Sequence, residues 1–169
     1  MLDSKLIFSE QQAIPNGTAV LSTNIYDAGT PFGGIAATAV APKLFEGEGH
    51  EVIVEVTAAA NGIGTNKKDD FQIKAQVVAA DDDALSTNAV VLAEVECAAI
   101  ANAALPTTLK PLVIKLHPAN QTAAKRYYAL KYDLTGTGTD EEQAPAALLT
   151  ATVNGYIRGY GEHQTNMVP

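Results

Sequence analysis

The chain has 169 residues and a mass of 17.6 kDa, with 47% hydrophobic but only 18% charged positions, enough for one domain that buries about 70% of its unfolded surface. Its 11 Lys and Arg against 19 Asp and Glu leave a formal charge of −8 and a pI near 4.7, a balance that repels phosphate backbones and excludes nucleic acid as the expected partner. The longest apolar stretches, such as 144–149, fall far short of the roughly 20 residues of a membrane span, so the expectation is a soluble protein with no membrane partner. The first residues lack the basic region and long apolar run of a secretory signal, and the protein is expected to begin at or near Met1.

Along the chain, residues 1–16 read as an N-terminal arm, with Leu2, Leu6, Ile7 and Phe8 among Asp3, Lys5, Glu10 and Gln11, set off by Pro15. Such an apolar arm needs something to lie against; it suits an assembling subunit, where it would pack on a neighbour, and an ordinary frayed domain about equally, and the arm completing the chain's own sheet stays open. Residues 17–158 follow as the folded domain. Strand patterns are expected at Thr18–Tyr26 and Ile35–Val40. The clearest is at 51–57, where Val52, Val54 and Val56 share one face and Glu51, Glu55 and Thr57 the other. The run 71–77 repeats it, with Phe71, Ile73, Ala75 and Val77 inward and Gln72, Lys74 and Gln76 outward. Further strands are expected at 90–97, 112–116, 127–134 and 148–157, and Ala98–Leu105 reads as a short helix or a strand end. Turn-rich pieces such as Asn16-Gly17, Gly47-Glu48-Gly49 and Gly136-Thr137-Gly138 punctuate these runs. About eight amphipathic strands predict an all-β, jelly-roll-like antiparallel β-sandwich of two sheets. Residues 159–169, polar and without alternation, read as a C-terminal tail.

Candidate chemistry is sparse. His50, His117 and His163 are dispersed and lack zinc-ligand spacing. Asp81-Asp82-Asp83 lacks the glycine and the terminal glutamate of a calcium loop and reads as a solvated turn. Asp140-Glu141-Glu142 reads as an exposed loop or a single helical turn. The Gly62-x-Gly64 and Gly136-x-Gly138 pairs lack a dinucleotide-binding context and read as hairpin glycines. Cys97 is the single cysteine, so it has no internal disulfide partner, and its apolar surroundings mark it as an inert buried thiol. Tyr128 and Tyr132 fall on one face with Leu130 and Leu134, as core rings, whereas Tyr127 faces outward. No catalytic residue, metal ligand or cofactor is expected. The candidate protein-interface residues are Leu2, Leu6, Ile7, Phe8 and Tyr127.

Three stretches carry a family resemblance: Asp3-x-x-Leu6-x-Phe8-Ser9-x-x-Gln12-Ala13; Ser22-Thr23-Asn24-x-x-Asp27-x-Gly29; and Arg126-Tyr127-Tyr128-Ala129-Leu130-Lys131-Tyr132-Asp133-Leu134-Thr135-Gly136-Thr137, followed by Leu149-Thr150-Ala151-Thr152-Val153. In order and spacing they resemble the capsid cement, or decoration, proteins of short-tailed bacteriophages. The resemblance implies a small non-catalytic jelly-roll-like protein, a homodimer, that binds the major capsid protein on the outer surface of an icosahedral head and stabilises it in the virion. The chain departs from the pattern in the long polar segment 116–126 and in the tail after Ile157. The competing reading is a carbohydrate-binding or adhesin-like sandwich, which would use Tyr127 as a platform and Asp81–Asp83 as a cation site. A cupin-type metal enzyme is the weakest, because the histidines are dispersed.

Overall fold

The computed structural model describes residues 7–15, 18–27, 51–60, 70–100, 107–116, 125–137 and 149–158. Among these residues there are ten strands and no helix: β1 Ile7–Pro15, β2 Val20–Leu21, β3 Tyr26–Asp27, β4 Glu51–Ala60, β5 Asp70–Ala80, β6 Val90–Glu96, β7 Thr107–Thr108, β8 Leu112–Lys115, β9 Tyr127–Thr137 and β10 Leu149–Arg158. One sheet runs β1-β10-β4-β7 with β8 also on β4; the other runs β2-β9-β5-β6 with β3 also on β9. All pairings are antiparallel. Because β7 and β8 follow one another along β4, and β2 and β3 along β9, each sheet is four positions wide among the described residues. The molecule is an all-β sandwich with about eight strand positions, as the alternation predicts.

The inward residues of the two sheets meet in a single principal core. Val52, Val54, Val56 and Ala58 of β4 face Ile73, Ala75, Val77 and Ala79 of β5 and Tyr128, Leu130, Tyr132 and Leu134 of β9, all between 0% and 1% exposed. The period of two places every second side chain in this layer, and burial of each large one contributes roughly 1.5–3 kcal/mol against conformational entropy. A smaller apolar cluster, Val78, Ala80, Leu85 and Ala129 with Tyr127 packed on it, covers one end of the outer face of the second sheet.

Several expectations are corrected. The arm 1–16 is an arm no further than residue 6: from Ile7 to Pro15 the chain is strand β1, paired with β10. Phe8, expected on a neighbouring subunit, is 2% exposed in this chain's own core, and Ile14 is 1% exposed. Its alternation is broken by a bulge in which Gln11 takes φ 49°, which is why the period of two is hard to see in the sequence. The single strand expected at Thr18–Tyr26 is two short ones, β2 and β3, separated by Ser22–Ile25. Gly136, expected in a hairpin, lies within β9 opposite Phe71. Ala98 and Ala99 are irregular and Ile100 makes an isolated bridge, so they start no helix. The expected strand at Ile35–Val40, the three histidines, Asp140–Glu142, Gly62 and Gly64, Leu2 and Leu6, and the tail 159–169 lie outside the described residues.

Candidate functional site

Among the described residues, one row of hydrogen-bonded polar side chains runs along the seam where β1 at the edge of the first sheet meets the Thr18–Asp27 segment at the edge of the second. Among the described residues strand β1 has one strand partner, β10, and its other side is met by side chains and turn backbone. Asn24 N donates to Phe8 O at 2.8 Å, and Asn24 Nδ2 donates to Ile7 O at 3.0 Å. Gln12 reaches across: its Oε1 accepts from Thr23 N (3.0 Å) and from Ser9 Oγ (2.7 Å), and its Nε2 donates to Leu21 O (2.7 Å). On the far side, Ser22 N donates to Leu130 O (2.7 Å) while Leu130 N donates to Ser22 Oγ (3.1 Å), so the segment between β2 and β3 stays tied to β9. Backbone groups that a regular ladder would pair are met here by polar side chains, at exposed positions for Gln12 and Asn24 and at a buried one for Ser22.

The seam is tied into the core by Tyr132. Its ring crosses from β9 towards the first sheet, and its hydroxyl donates to Ser9 Oγ at 2.9 Å; Ser9 is 1% exposed. Burial pushes the Tyr132 hydroxyl well above the usual tyrosine range, with the bond to Ser9 opposing the shift only in part. The space for the ring comes from Gly155 on the inward face of β10. A Cβ at that position would overlap the Tyr132 hydroxyl and lie 2.6 Å from Leu130 Cδ1, so glycine is required for close approach.

A second cluster sits at the start of β9. Arg126 holds Asp27 with two bonds, Nε to Oδ1 and Nη2 to Oδ2, both 2.8 Å, joining β3 to β9. Its guanidinium lies 4.8 Å above the Tyr127 ring, and the bond to Asp27 raises the guanidinium pKa. The neighbouring Lys125 is 7% exposed and gives its Nζ to both Asp81 oxygens at 3.0 and 3.1 Å. Asp81 also accepts from Asn88 Nδ2 (2.8 Å), and these two donors, Asn88 first, lower its carboxyl pKa.

Asp82 organises the turn between β5 and β6. Its Oδ1 accepts from Ser86 N and Thr87 N, both at 2.9 Å, and its Oδ2 from Ser86 Oγ (2.6 Å) and Thr87 Oγ1 (3.1 Å). The Ser86 hydroxyl and the Thr87 amide lead in holding the carboxyl far below its ordinary value. These bonds hold Leu85 and Asn88 at φ 52° and 49°, costly for a leucine, and Leu85 caps the outer cluster on Val78, Ala80 and Ala129. Of the Asp81–Asp83 carboxylates that a cation reading needs, those of Asp81 and Asp82 already accept from the protein's own donors. Among the described residues, no group of three or more His, Cys, Asp or Glu is placed to hold a metal ion.

The candidate interface residues therefore separate. Phe8 is in the core. Ile7 is half-buried on the outer face of the first sheet, in a cross-strand row with Tyr156, Ile53 and Val113. Tyr127 is on the outer face of the second sheet, with the Arg126 guanidinium over its ring and Leu85, Val78, Ala80 and Ala129 grouped beside it. That ring is partly buried in intramolecular packing, with the Arg126 guanidinium over it, which weighs against its use as a sugar platform. Cys97 is 9% exposed, and its Sγ accepts from Ile73 N at 3.2 Å; burial raises the thiol pKa, as expected of an unreactive cysteine. Lys125 and Gly155 carry structure that the residue pattern did not disclose. The lysine's partner is 44 positions away, and the glycine's role depends on a tyrosine in the opposite sheet. No family model, curated protein or solved structure matches the chain.

Proposed function

We propose that the protein is a structural cement protein that binds the outer surface of an icosahedral phage head at the major capsid protein and stabilises it, without catalysis. The observation that carries this reading is the convergence of the three segments behind the family resemblance. Phe8-Ser9-x-x-Gln12, Ser22-Thr23-Asn24-x-x-Asp27 and Arg126–Tyr132 form one hydrogen-bonded unit, through Ser9–Tyr132, Gln12–Thr23, Asn24–Phe8, Ser22–Leu130 and Asp27–Arg126. The three segments lie side by side on β1, the β2–β3 segment and β9. Their meeting supports reading them as the structural signature of one fold family.

The strand order supports the same reading. Counting, among the described residues, β2 with β3 and β7 with β8 as single broken strands, the sheets run first-eighth-third-sixth and second-seventh-fourth-fifth, an order that supports the jelly-roll-like reading. Viral capsid and lectin domains both use this architecture, and fold alone does not choose between them. The occupied Tyr127 ring and the committed Asp82 oxygens weigh against the lectin-type alternative. Capsid binding would rest on multiplicity: many equivalent copies, each held modestly, add up to a strengthened shell.

The test is the copy number of the chain in purified particles from its source, by quantitative mass spectrometry against the major shell protein. The expected result is a simple lattice ratio such as one to one; absence, or a few copies per particle, overturns the proposal. Because Phe8 belongs to the core, the arm is probed by deleting only residues 1–6. Shell binding should be lost with the fold retained, and full occupancy by the shortened chain would remove the arm from the contact.

A further inference from the structure

We propose that the turn between β5 and β6 is an acid-released latch: closed, it holds Leu85 down over an apolar patch on the outer face of the second sheet, and open, it presents that patch to solvent. The patch is Val78, Ala80 and Ala129, at 7%, 0% and 0% exposure, with Leu85 as its cap and the half-buried Tyr127 packed at its side. It is separate from the main core and lies on the opposite face of the sheet. Val91, at 52% the most exposed large hydrophobic among the described residues, stands next to Val78 in the cross-strand row Ala129–Val78–Val91. Lifting Leu85 therefore joins a buried patch to an apolar side chain already in water.

The closed turn is strained and is held by charge. Leu85 sits at φ 52°, in the left-handed region that a leucine avoids. Asp82 keeps it there: its carboxylate takes the amides and hydroxyls of Ser86 and Thr87, and its backbone oxygen accepts from Leu85 N at 3.1 Å. Asp81 closes the other side, with its N donating to Thr87 O at 3.1 Å and its carboxylate taking Asn88 Nδ2 and Lys125 Nζ. The other charged and titratable groups around these two carboxylates are Asp83 in the turn, Arg126 and Tyr127 at the start of β9, and Asp27 on β3, which Arg126 holds. Acid takes the charge from an aspartate but not from a lysine or an arginine. The Lys125 side chain is 9% exposed, so a protonated Asp81 leaves an ammonium out of water beside a neutral group, and it regains solvation when the turn moves away. A protonated Asp82 also accepts more weakly from its four donors than the carboxylate does. Both carboxyls are held below their ordinary value of 3.8, so the latch opens as pH falls below that value. The latch is a property of the isolated chain and does not rest on the capsid reading.

The test is the fluorescence of Nile red, an uncharged dye that brightens on apolar surfaces, with the full chain titrated from about pH 7 to about pH 2. The near-UV circular dichroism of the buried tyrosines is followed in the same samples as the measure of the intact core. Dye emission of the wild type should rise several-fold in acid while the near-UV signal is still native; a rise only together with loss of that signal overturns the proposal. Asp82→Asn, which removes the charge, and Leu85→Asn, which suits the left-handed backbone but removes the apolar cap, should each be several-fold brighter than the wild type at neutral pH with a native near-UV signal. Darkness of either variant overturns it. Adding the exposed-site change Val91→Lys to Asp82→Asn should dim the dye; unchanged emission would place the dye elsewhere and overturn the assignment of the patch.

Discussion

The seam at β1 and the turn between β5 and β6 both hold irregular backbone against a sheet, but by opposite means. The seam uses neutral groups taken out of water: Ser9 at 1%, Ser22 at 5% and a buried tyrosine hydroxyl. The turn uses a carboxylate in solvent, Asp82, with four donors converging on it. A buried neutral bond is insensitive to pH near neutrality but costly to leave half-made, whereas an exposed carboxylate is tolerant of substitution but depends on its charge. The seam is therefore expected to govern global stability, and the turn a local, acid-sensitive order.

The sharpest way to break that contrast is Phe8→Ala. If β1 is integral to the core, it costs about 3–5 kcal/mol in denaturant unfolding; a change below about 1 kcal/mol would return Phe8 to a detachable arm. Next comes Gly155→Ala, which forces a methyl group against Tyr132 and Leu130 and should cost roughly 1–3 kcal/mol by overpacking. The paired change with Tyr132→Phe should recover part of that loss, because the hydroxyl is the first atom struck. Ser9→Ala, which leaves the Tyr132 hydroxyl without its acceptor, should cost about 1–3 kcal/mol, more than Tyr132→Phe. In a double-mutant cycle the two losses should add to more than the double variant shows.

The smallest effect is expected at the turn. The Asp82 and Asp81 carboxyls are both held below their ordinary value of 3.8, so the folded state binds protons less readily than the unfolded one. Their contribution is complete above the ordinary value and is lost as pH falls below it towards the depressed native pKa. The amide protection factors of Ser86 and Thr87, taken relative to the intrinsic exchange rate at each pH, should fall on acidification before global unfolding, and Asp82→Asn should remove most of that pH dependence. Equal acid sensitivity in wild type and variant would show that another group holds the turn.

How legible this was differs between the same two regions. The alternation at 51–57 and 71–77 placed β4 and β5 directly, because a strand buried on one face writes its environment into every second residue. Tyr128, Leu130, Tyr132 and Leu134 were likewise readable as one inward face, and all are buried. Strand β1 was not: its bulge at Gln11 breaks the period, and the polar Ser9 and Gln12 point into structure for reasons supplied by residues far along the chain. Lys125 was equally hidden, since a lysine is buried here only because Asp81 stands beside it.

By itself, the sequence determined the all-β class, the positions of most strands, the core faces of β4, β5 and β9, and the buried state of Cys97. All follow from short-range periodicity and hydrophobicity, which need no knowledge of what lies opposite. Only the tertiary structure decided that β1 completes the first sheet, that Gly155 makes room for Tyr132, and that Asp82 holds a turn with its own donors. Each of these depends on a partner brought close by folding: the Tyr132 hydroxyl lies against Ser9, 123 positions away in the chain, and nothing local in either residue specifies the other.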